Sequence, residues 1–217
     1  MSKASTARKL TPEDAVRTLY IDFEGQKDRP PVLLGCTRRS RRSQIPGIWQ
    51  AVTDPAFESL ADEDGIESLE LSDAVERILQ RAESKDRMIV AWSEHELGVV
   101  RDHCPDKLER FQARYINARL VAVHWRNKCH GGEKPSSNAL ADYLALIGHT
   151  VPQGAGPGLA GATIAVVRKA LERDRGVAGL TENQRRRWRD LREHNRHDCA
   201  GMRRVCLLAA REVAEDE

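Results

Sequence analysis

Three short apolar runs near the start of the chain predict three β-strands, over residues 19–24, 31–36 and 47–52. Charged residues, proline or glycine bound each run, and the connections are short enough to join antiparallel neighbours. This part of the chain therefore predicts a three-stranded meander. Residues 54–71 are acidic and irregular, which indicates a loop, with a turn at residues 64–65.

The next segment alternates helical and strand patterns. A helix is predicted from Ser72, a favourable N-cap residue, because apolar positions at helical spacing follow over residues 75–79. Residues 88–92 form a compact apolar run, which is typical of a buried central strand. A second helix is predicted to begin near Glu94, and a third to cover residues 106–115.

The remainder of the chain is predicted to be mainly helical. Residues 118–125 are β-prone and are interpreted as a strand, whereas apolar spacing predicts helices over residues 137–147, 163–175 and 181–213. The glycine- and proline-rich residues 151–161 are expected to be a flexible connection. Strands in a meander, then a helix, a strand and more helices, predict an α/β fold with a mixed sheet flanked by helices.

Composition narrows the class of protein. With 217 residues, 40% hydrophobic and 31% charged, the chain is expected to form one globular domain over residues 18–217, after a flexible leader over residues 1–17. No run of 18 apolar residues predicts a membrane span, and the polar start does not resemble a secretory signal. Five cysteines at irregular spacing argue against a disulfide framework and for a reducing cytoplasm.

Positive charge is clustered although the net charge is only +2. One cluster lies within residues 38–42, and the second lies on the last predicted helix. Such clusters can neutralise phosphates, so the second predicts nucleic-acid binding; the alternative is an ordinary solvated helix face. The arginines of the second cluster are Arg185, Arg186, Arg187, Arg189 and Arg192.

Two carboxylates in the first strand are the strongest chemical signal. Asp22 and Glu24 are two residues apart, so they point to the same face of a strand, opposite Ile21 and Phe23. Burying two adjacent like charges is costly, and a hard divalent cation would remove that cost. The alternative is a strand end whose acids face water.

Two further acidic positions follow later in the chain. Glu96 lies in the first turn of the helix after the central strand, a common place for ligand sites in α/β folds. His194 and Asp198 are four residues apart and therefore share one face of the last helix.

These three stretches together resemble the exonuclease motifs of the DEDD superfamily. The stretches are Tyr-Ile-Asp-Phe-Glu-Gly at residues 20–25, Trp-Ser-Glu-His-Glu at residues 92–96 and His-Asn-Arg-His-Asp at residues 194–198. Members of that superfamily are 3′→5′ exonucleases with a ribonuclease-H-like fold. The similarity is greatest to a predicted subgroup often fused to RecB-type nuclease or helicase modules, so such a module is a possible partner.

The resemblance implies a role for each matching residue. Asp22, Glu24, Glu96 and Asp198 would hold two Mg²⁺ or Mn²⁺ ions, and His194 would orient or deprotonate the attacking water. Two departures stand out. Glu96 occupies a position where the superfamily usually has aspartate, and His194 combines the spacing of the tyrosine branch with the residue type of the histidine branch.

The leading functional hypothesis is a two-metal 3′→5′ exonuclease acting on single-stranded DNA or RNA, with Trp92 or Trp188 either stacking on a base or packing in the core. One alternative is a weak or inactive member of the fold that binds nucleic acid or a partner protein. Another is a zinc site built from residues 103–104 and 129–130, two adjacent His/Cys pairs that lack the usual zinc-ligand spacing.

Overall fold

The computed structural model describes residues 10–38, 47–131, 136–149, 159–174 and 176–216. Within them, the strands are β1 (Leu19–Glu24), β2 (Leu33–Arg38), β3 (Gly47–Val52), β4 (Glu67–Ser68), β5 (Ile89–Ala91) and β6 (Tyr115–Asn117). They form one mixed sheet in the order β4-β3-β2-β1-β5-β6. β1, β2 and β3 are antiparallel, as predicted, whereas β4 pairs parallel to β3, and β5 pairs parallel to both β1 and β6.

The helices of the described residues lie on both sides of this sheet. They are α1 (Pro12–Arg17), α2 (Glu58–Asp64), α3 (Leu71–Glu83), α4 (His95–His103), α5 (Leu108–Arg114), α6 (Ala118–Cys129), α7 (Leu140–Leu146), α8 (Leu159–Asp174) and α9 (Glu182–Glu215). The α/β class, the mixed sheet and the flanking helices predicted from the sequence are confirmed.

Successive side chains of β1 point to opposite faces of the sheet and pack against different helices. Ile21 and Phe23 pack with residues of α3, α4 and α5 on one face of the sheet. Tyr20 packs with α1, α6, α7 and α9 on the opposite face. Asp22 and Glu24 share the face of Tyr20, so both carboxylates are directed toward α9.

The prediction of a flexible leader over residues 1–17 is wrong for residues 10–17. Leu10 and Ala15 are buried in the core beneath α9, and the Tyr20 hydroxyl donates to the Ala15 carbonyl at 2.8 Å. Thr11 caps α1 by accepting from the Asp14 backbone N–H. Residues 1–9 lie outside the described residues.

The predicted strand over residues 118–125 is also wrong. This segment is the start of α6, because the Asn117 side chain caps the helix by accepting from the Leu120 backbone N–H at 3.3 Å. The buried residues Ala118, Ala122 and Trp125 recur at helical spacing. The segment is therefore a helix, although its valines favour a strand. The strand at this position is β6, which precedes the helix.

The predicted loop over residues 54–71 contains regular structure. Asp54 caps a short 3-10 turn by accepting from the Ala56 N–H, and α2 follows it. Gly65 ends α2 in the left-handed conformation at φ 62°, which suits glycine. The turn expected at residues 64–65 is therefore a helix C-cap.

Two features of the sequence fall partly or wholly outside the described residues. These are the connection over residues 151–161, of which residues 159–161 belong to α8, and the basic residues 39–42. Among the helices that the structure describes, none is long and apolar enough to cross a membrane.

Candidate active site

Three of the four acids singled out in the sequence line one cavity between β1, α4, α7 and α9, and the fourth, Glu24, lies next to His194 and does not line it. The cavity has a volume of about 340 Å³. Asp22, Glu96, His194 and Asp198 line it, together with an apolar group made of Phe23, Trp92, Leu140, Ala141, Leu144 and Met202. The structure therefore brings together residues that are more than 170 positions apart in the sequence.

Asp22 is held by a side chain of α9. Asn195 donates from Nδ2 to Asp22 Oδ2 at 2.9 Å and to the Asp22 main-chain oxygen at 3.0 Å. The first strand and the last helix are thus joined directly at the site.

His194 lies between two of the acids. Its Nε2 is 3.8 Å from Glu24 Oε1 and 3.7 Å from Asp198 Oδ2. Its Nδ1 is buried and has no hydrogen-bond partner among the described residues. The four-residue spacing of His194 and Asp198 therefore places both on the α9 face that meets β1, as predicted.

Glu96 lies in the first turn of α4, directly after β5. It is only 4% exposed, and its Oε2 is buried without a hydrogen-bond partner in the described part of the chain. A buried carboxylate oxygen without a donor is costly, which suggests that another group satisfies it in the functional state.

Every acid of the site has a raised pKa. Burial is the largest cause for Asp22, Glu24 and Asp198; the charge of Asp198 raises the pKa of Asp22 further, and the charge of Asp22 does the same for Glu24. Burial, and then the charge of Asp22, raises the pKa of Glu96 to about 8. The protein alone therefore does not stabilise the ionised form of these acids, and a bound cation would do so.

Burial has the opposite effect on the histidine. It lowers the pKa of His194, and the charge of Asp22 offsets only part of this. The imidazole is therefore neutral at pH 7 and can accept a proton.

The donor set fits a hard divalent cation. Four carboxylates offer only oxygen atoms, the ligands that Mg²⁺ and Mn²⁺ prefer, and the unpartnered Glu96 Oε2 leaves one of these atoms available. Among the described residues, no group of three or more His, Cys, Asp or Glu side chains is already spaced to hold a metal ion. Binding would therefore include a rearrangement of these side chains.

Two arginines of the predicted nucleic-acid cluster bind acids of α2. Arg192 pairs with Asp64 at 2.5 Å, and Arg185 pairs with Glu63 and donates to the Val177 carbonyl at 2.6 Å. The side chains of Arg185 and Arg192 are only 23% and 17% exposed. Their first role is to fix α9 on α2.

The other three arginines of that cluster are exposed. Arg186 donates to Asn183, Arg189 pairs with Glu182 at 2.5 Å, and Arg187 faces solvent. Nucleic-acid binding by this helix stays a prediction, and these three side chains are the ones available for it.

The two tryptophans considered for base stacking occupy different environments. Trp188 is 1% exposed, packs against Phe57 and donates from Nε1 to Asp64 at 2.7 Å, so it is a core residue. Trp92 lines the cavity, packs edge-on against Tyr143 and donates to the Asn138 carbonyl at 3.0 Å. Only Trp92 can contact a ligand in the cavity.

The two His/Cys pairs of the zinc alternative do not meet. Cys104 is buried in the core on the α3–α5 face of the sheet, whereas Cys129 packs with the core on the opposite face. His130 contacts Glu212, with Nε2 and Oε2 3.0 Å apart. The sheet separates the pairs, and they form no common site.

Three residues that support the site were missed in the sequence. Asn195 lies inside the His-Asn-Arg-His-Asp stretch but was given no role, and Gln50 and Gly35 lie in β3 and β2. A glycine inside an apolar strand often marks a close approach by another group. Gly35 was therefore the one available signal: a Cβ built on it would lie 2.2 Å from Asn195 Oδ1.

Comparisons with protein-family models, with curated proteins and with solved structures found no match to this chain. The functional conclusion therefore depends on the chemistry of the cavity.

Proposed function

We propose that this protein is a metal-dependent nuclease that removes nucleotides from the 3′ end of single-stranded DNA or RNA. One observation carries the proposal: three carboxylates and a neutral histidine, from β1, α4 and α9, line one cavity next to β1, and the carboxylate of Glu24 lies 3.8 Å from that histidine. The strand order, with an antiparallel meander beside parallel β5 and β6, supports a ribonuclease-H-like fold within the same proposal.

Asp22, Glu24, Glu96 and Asp198 would hold two Mg²⁺ or Mn²⁺ ions. Such ions, when bound, lower the pKa of a water molecule and stabilise charge on the leaving oxygen of a phosphodiester. His194 Nε2 faces Glu24 and Asp198, so it is the atom that would accept the proton from the attacking water.

The size and the lining of the cavity are compatible with a bound nucleotide. Residues of α7 form part of its wall, and Leu144 is packed against α9 at Gly201. A volume of about 340 Å³ is at the lower end of the roughly 300–1,000 Å³ that is usual for ligand pockets. The apolar side chains Trp92 and Met202 would contact a base, while the metal ions held by the carboxylates would contact the phosphate.

A catalytically inactive binding module is the second candidate, and a specific observation favours it. Among the described residues, no three of the acidic side chains are already spaced to hold a metal ion. If these side chains keep their present spacing, no metal ion binds, while the exposed arginines of α9 still attract phosphates.

Degradation of end-labelled single-stranded DNA and RNA in Mn²⁺, Mg²⁺ or EDTA tests the proposal. Asp22→Asn and Asp198→Asn keep the shape of each side chain and remove its charge, and the exposed acid Asp190→Asn on the same helix is the matched control. We expect metal-dependent shortening from the 3′ end that falls more than about 100-fold in both site variants, since even outer-shell partners of a metal cost 10–100-fold. The control should cleave as the wild type does.

Two other results would contradict the nuclease. Equal activity in EDTA would exclude a metal-dependent reaction. Binding of nucleic acid without cleavage in any metal would favour the inactive module.

A further inference from the structure

Asn195 occupies an unusual position for a polar side chain. It is fully buried, and on α9 it lies between His194 and Asp198. It does not line the cavity, so it is not placed to touch a substrate. Its side chain is instead directed at the main chain and carboxylate of β1. A fully buried amide that contacts a candidate metal ligand calls for a functional explanation.

The hydrogen bonds around Asn195 fix which way its amide points. The Arg192 carbonyl can only accept, so Gln50 must present Nε2 to it, at 2.8 Å. The same Nε2 lies 2.9 Å from Asn195, which must therefore present Oδ1. Both N–H groups of Asn195 are then left for Asp22, one for Oδ2 and one for the main-chain oxygen.

The sheet provides the space for this amide. Gly35 on β2 pairs with Asp22 on β1, and a Cβ at Gly35 would lie 2.2 Å from Asn195 Oδ1 and 2.9 Å from its Cγ. No other residue at position 35 leaves room for the Asn195 side chain. A glycine in a strand interior weakens the strand, and here the close approach of Asn195 offsets that cost.

The contact also sets how α9 lies on β1. His194, Asn195 and Asp198 belong to one helical stretch of five residues, so fixing Asn195 against Asp22 also fixes the rotation of the other two about the helix axis and their position along it. Asp22 Oδ2 is engaged by the amide, which leaves Oδ1 as the oxygen free to turn toward a cation.

We propose that Asn195 is a positioning residue that orients the Asp22 carboxylate for metal binding and aligns His194 and Asp198 with it. This role rests on the proposed function, because it takes Asp22 to be a metal ligand. Gln50 holds the Asn195 amide in the required direction, and Gly35 makes room for it.

Direct titration with Mn²⁺ tests this role without relying on cleavage. Asn195→Ala removes the amide, Gln50→Met removes the group that orients it, and Gly35→Ala keeps every hydrogen-bonding group but displaces Asn195. Gly98→Ala is the matched control, because its new Cβ would meet only the end of Arg101, at 3.6 Å.

We expect Mn²⁺ affinity to fall about 10–100-fold in Asn195→Ala and Gly35→Ala, less in Gln50→Met, and not at all in Gly98→Ala. Cleavage by Asn195→Ala should recover as the Mn²⁺ concentration is raised, with an unchanged KM for the nucleic acid. The double variant Asn195→Ala with Gln50→Met should bind Mn²⁺ no more weakly than Asn195→Ala alone, since Gln50 acts through Asn195.

The same measurements show which proposal fails. If the folded variants have a lower melting temperature but bind Mn²⁺ as tightly as the wild type, Asn195 is only structural and the positioning role is overturned. Additive losses in the double variant would also overturn it. If the wild type itself binds no Mn²⁺, the proposed nuclease function fails, and the positioning role fails with it. If Asn195→Ala or Gly35→Ala does not fold, the Mn²⁺ affinity of Gln50→Met still tests the positioning role, and an affinity equal to that of the wild type overturns it.

Discussion

Replacing Glu96 by glutamine should make the metal-free protein more stable at pH 8. Glu96 is 4% exposed, and burial and the Asp22 charge raise its pKa from 4.5 to about 8 in the folded protein. In the unfolded chain the carboxyl ionises near its ordinary pKa, so folding at high pH requires either a proton or a buried charge. Glutamine has the same shape and requires neither.

The sign and size of the effect follow from that shift. Because the folded state binds the proton more tightly, this carboxyl favours folding most below pH 4.5, and stability falls as the pH rises through about 8. One pKa unit corresponds to about 1.4 kcal/mol. Relative to low pH, the wild type therefore loses less than about 1 kcal/mol of its free energy of unfolding at pH 5 and about 4 kcal/mol at pH 8. Glu96→Gln lacks this dependence.

Urea unfolding in EDTA, followed by circular dichroism at pH 5 and pH 8, measures the difference. At each pH, the free energy of unfolding of the wild type is subtracted from that of Glu96→Gln. We expect this difference to be roughly 3–5 kcal/mol larger at pH 8 than at pH 5. Any imperfect fit of the glutamine contributes equally at both pH values and cancels. Glu94→Gln, at the exposed neighbouring acid, should stay within about 0.5 kcal/mol of the wild type at both.

Saturating Mn²⁺ should reduce the stability advantage of Glu96→Gln at pH 8. A ligand present at 100 times its dissociation constant stabilises the folded state by about 2.7 kcal/mol, and the variant lacks one of the carboxylates that would bind it. A loss of stability in Glu96→Gln at pH 8, or an equal difference from the wild type at both pH values, would contradict a raised Glu96 pKa.

Three further changes test separate parts of the structure. His194→Gln should lower the cleavage rate about 10²–10⁴-fold at unchanged Mn²⁺ affinity, and the pH–rate profile should lose its fall below the lowered His194 pKa; an unchanged profile would exclude His194 as the base. Trp188→Phe, which removes the hydrogen bond to Asp64, should lower the free energy of unfolding by about 1–3 kcal/mol and leave single-strand affinity unchanged, because the indole is buried. Gly201→Ala places a Cβ 2.9 Å from Leu144 and should destabilise the folded protein by about 1–3 kcal/mol, measured by thermal unfolding. An unchanged melting temperature would show that Leu144 and α7 shift to accept the new methyl group at little cost.

Local pattern was sufficient for most of the regular elements. β1 (Leu19–Glu24) and β3 (Gly47–Val52) have the predicted bounds, because each is a clear apolar run between polar residues. The segment after Asn117 was misassigned because its valines favour a strand, while the deciding interaction is a single cap from the Asn117 side chain. The cap involves a single residue, whereas several residues of the segment favour a strand, so the sequence pattern predicts the strand.

The acids of α2 and the arginines of α9 show a different limit. In the sequence, the acidic segment indicated a loop and the basic segment a phosphate-binding face. In the structure, Glu63 and Asp64 pair with Arg185 and Arg192, so the two features are the two sides of one contact. Charge pattern alone does not reveal that two distant segments neutralise each other, because pairing depends on the tertiary fold.

The candidate site was predictable as a set of residues but not as an arrangement. The alternation of β1 and the spacing of α9 correctly place Asp22 beside Glu24 and His194 beside Asp198. The buried amide between them was not predictable, because its partners come from three strands and a helix. Only the unexplained glycine at position 35 pointed to it.

The hydrogen bond between Asp22 and Asn195 joins residues 173 positions apart in the chain, and this separation has a consequence for protein synthesis. At about 5–20 residues per second, the ribosome adds Asn195 roughly 9–35 s after Asp22. During that interval Asp22 has no contact with α9, and neither His194 nor Asp198 has yet been joined to the chain. A nascent chain of the proposed nuclease therefore cannot cut the messenger RNA from which it is being translated until α9 has emerged and docked.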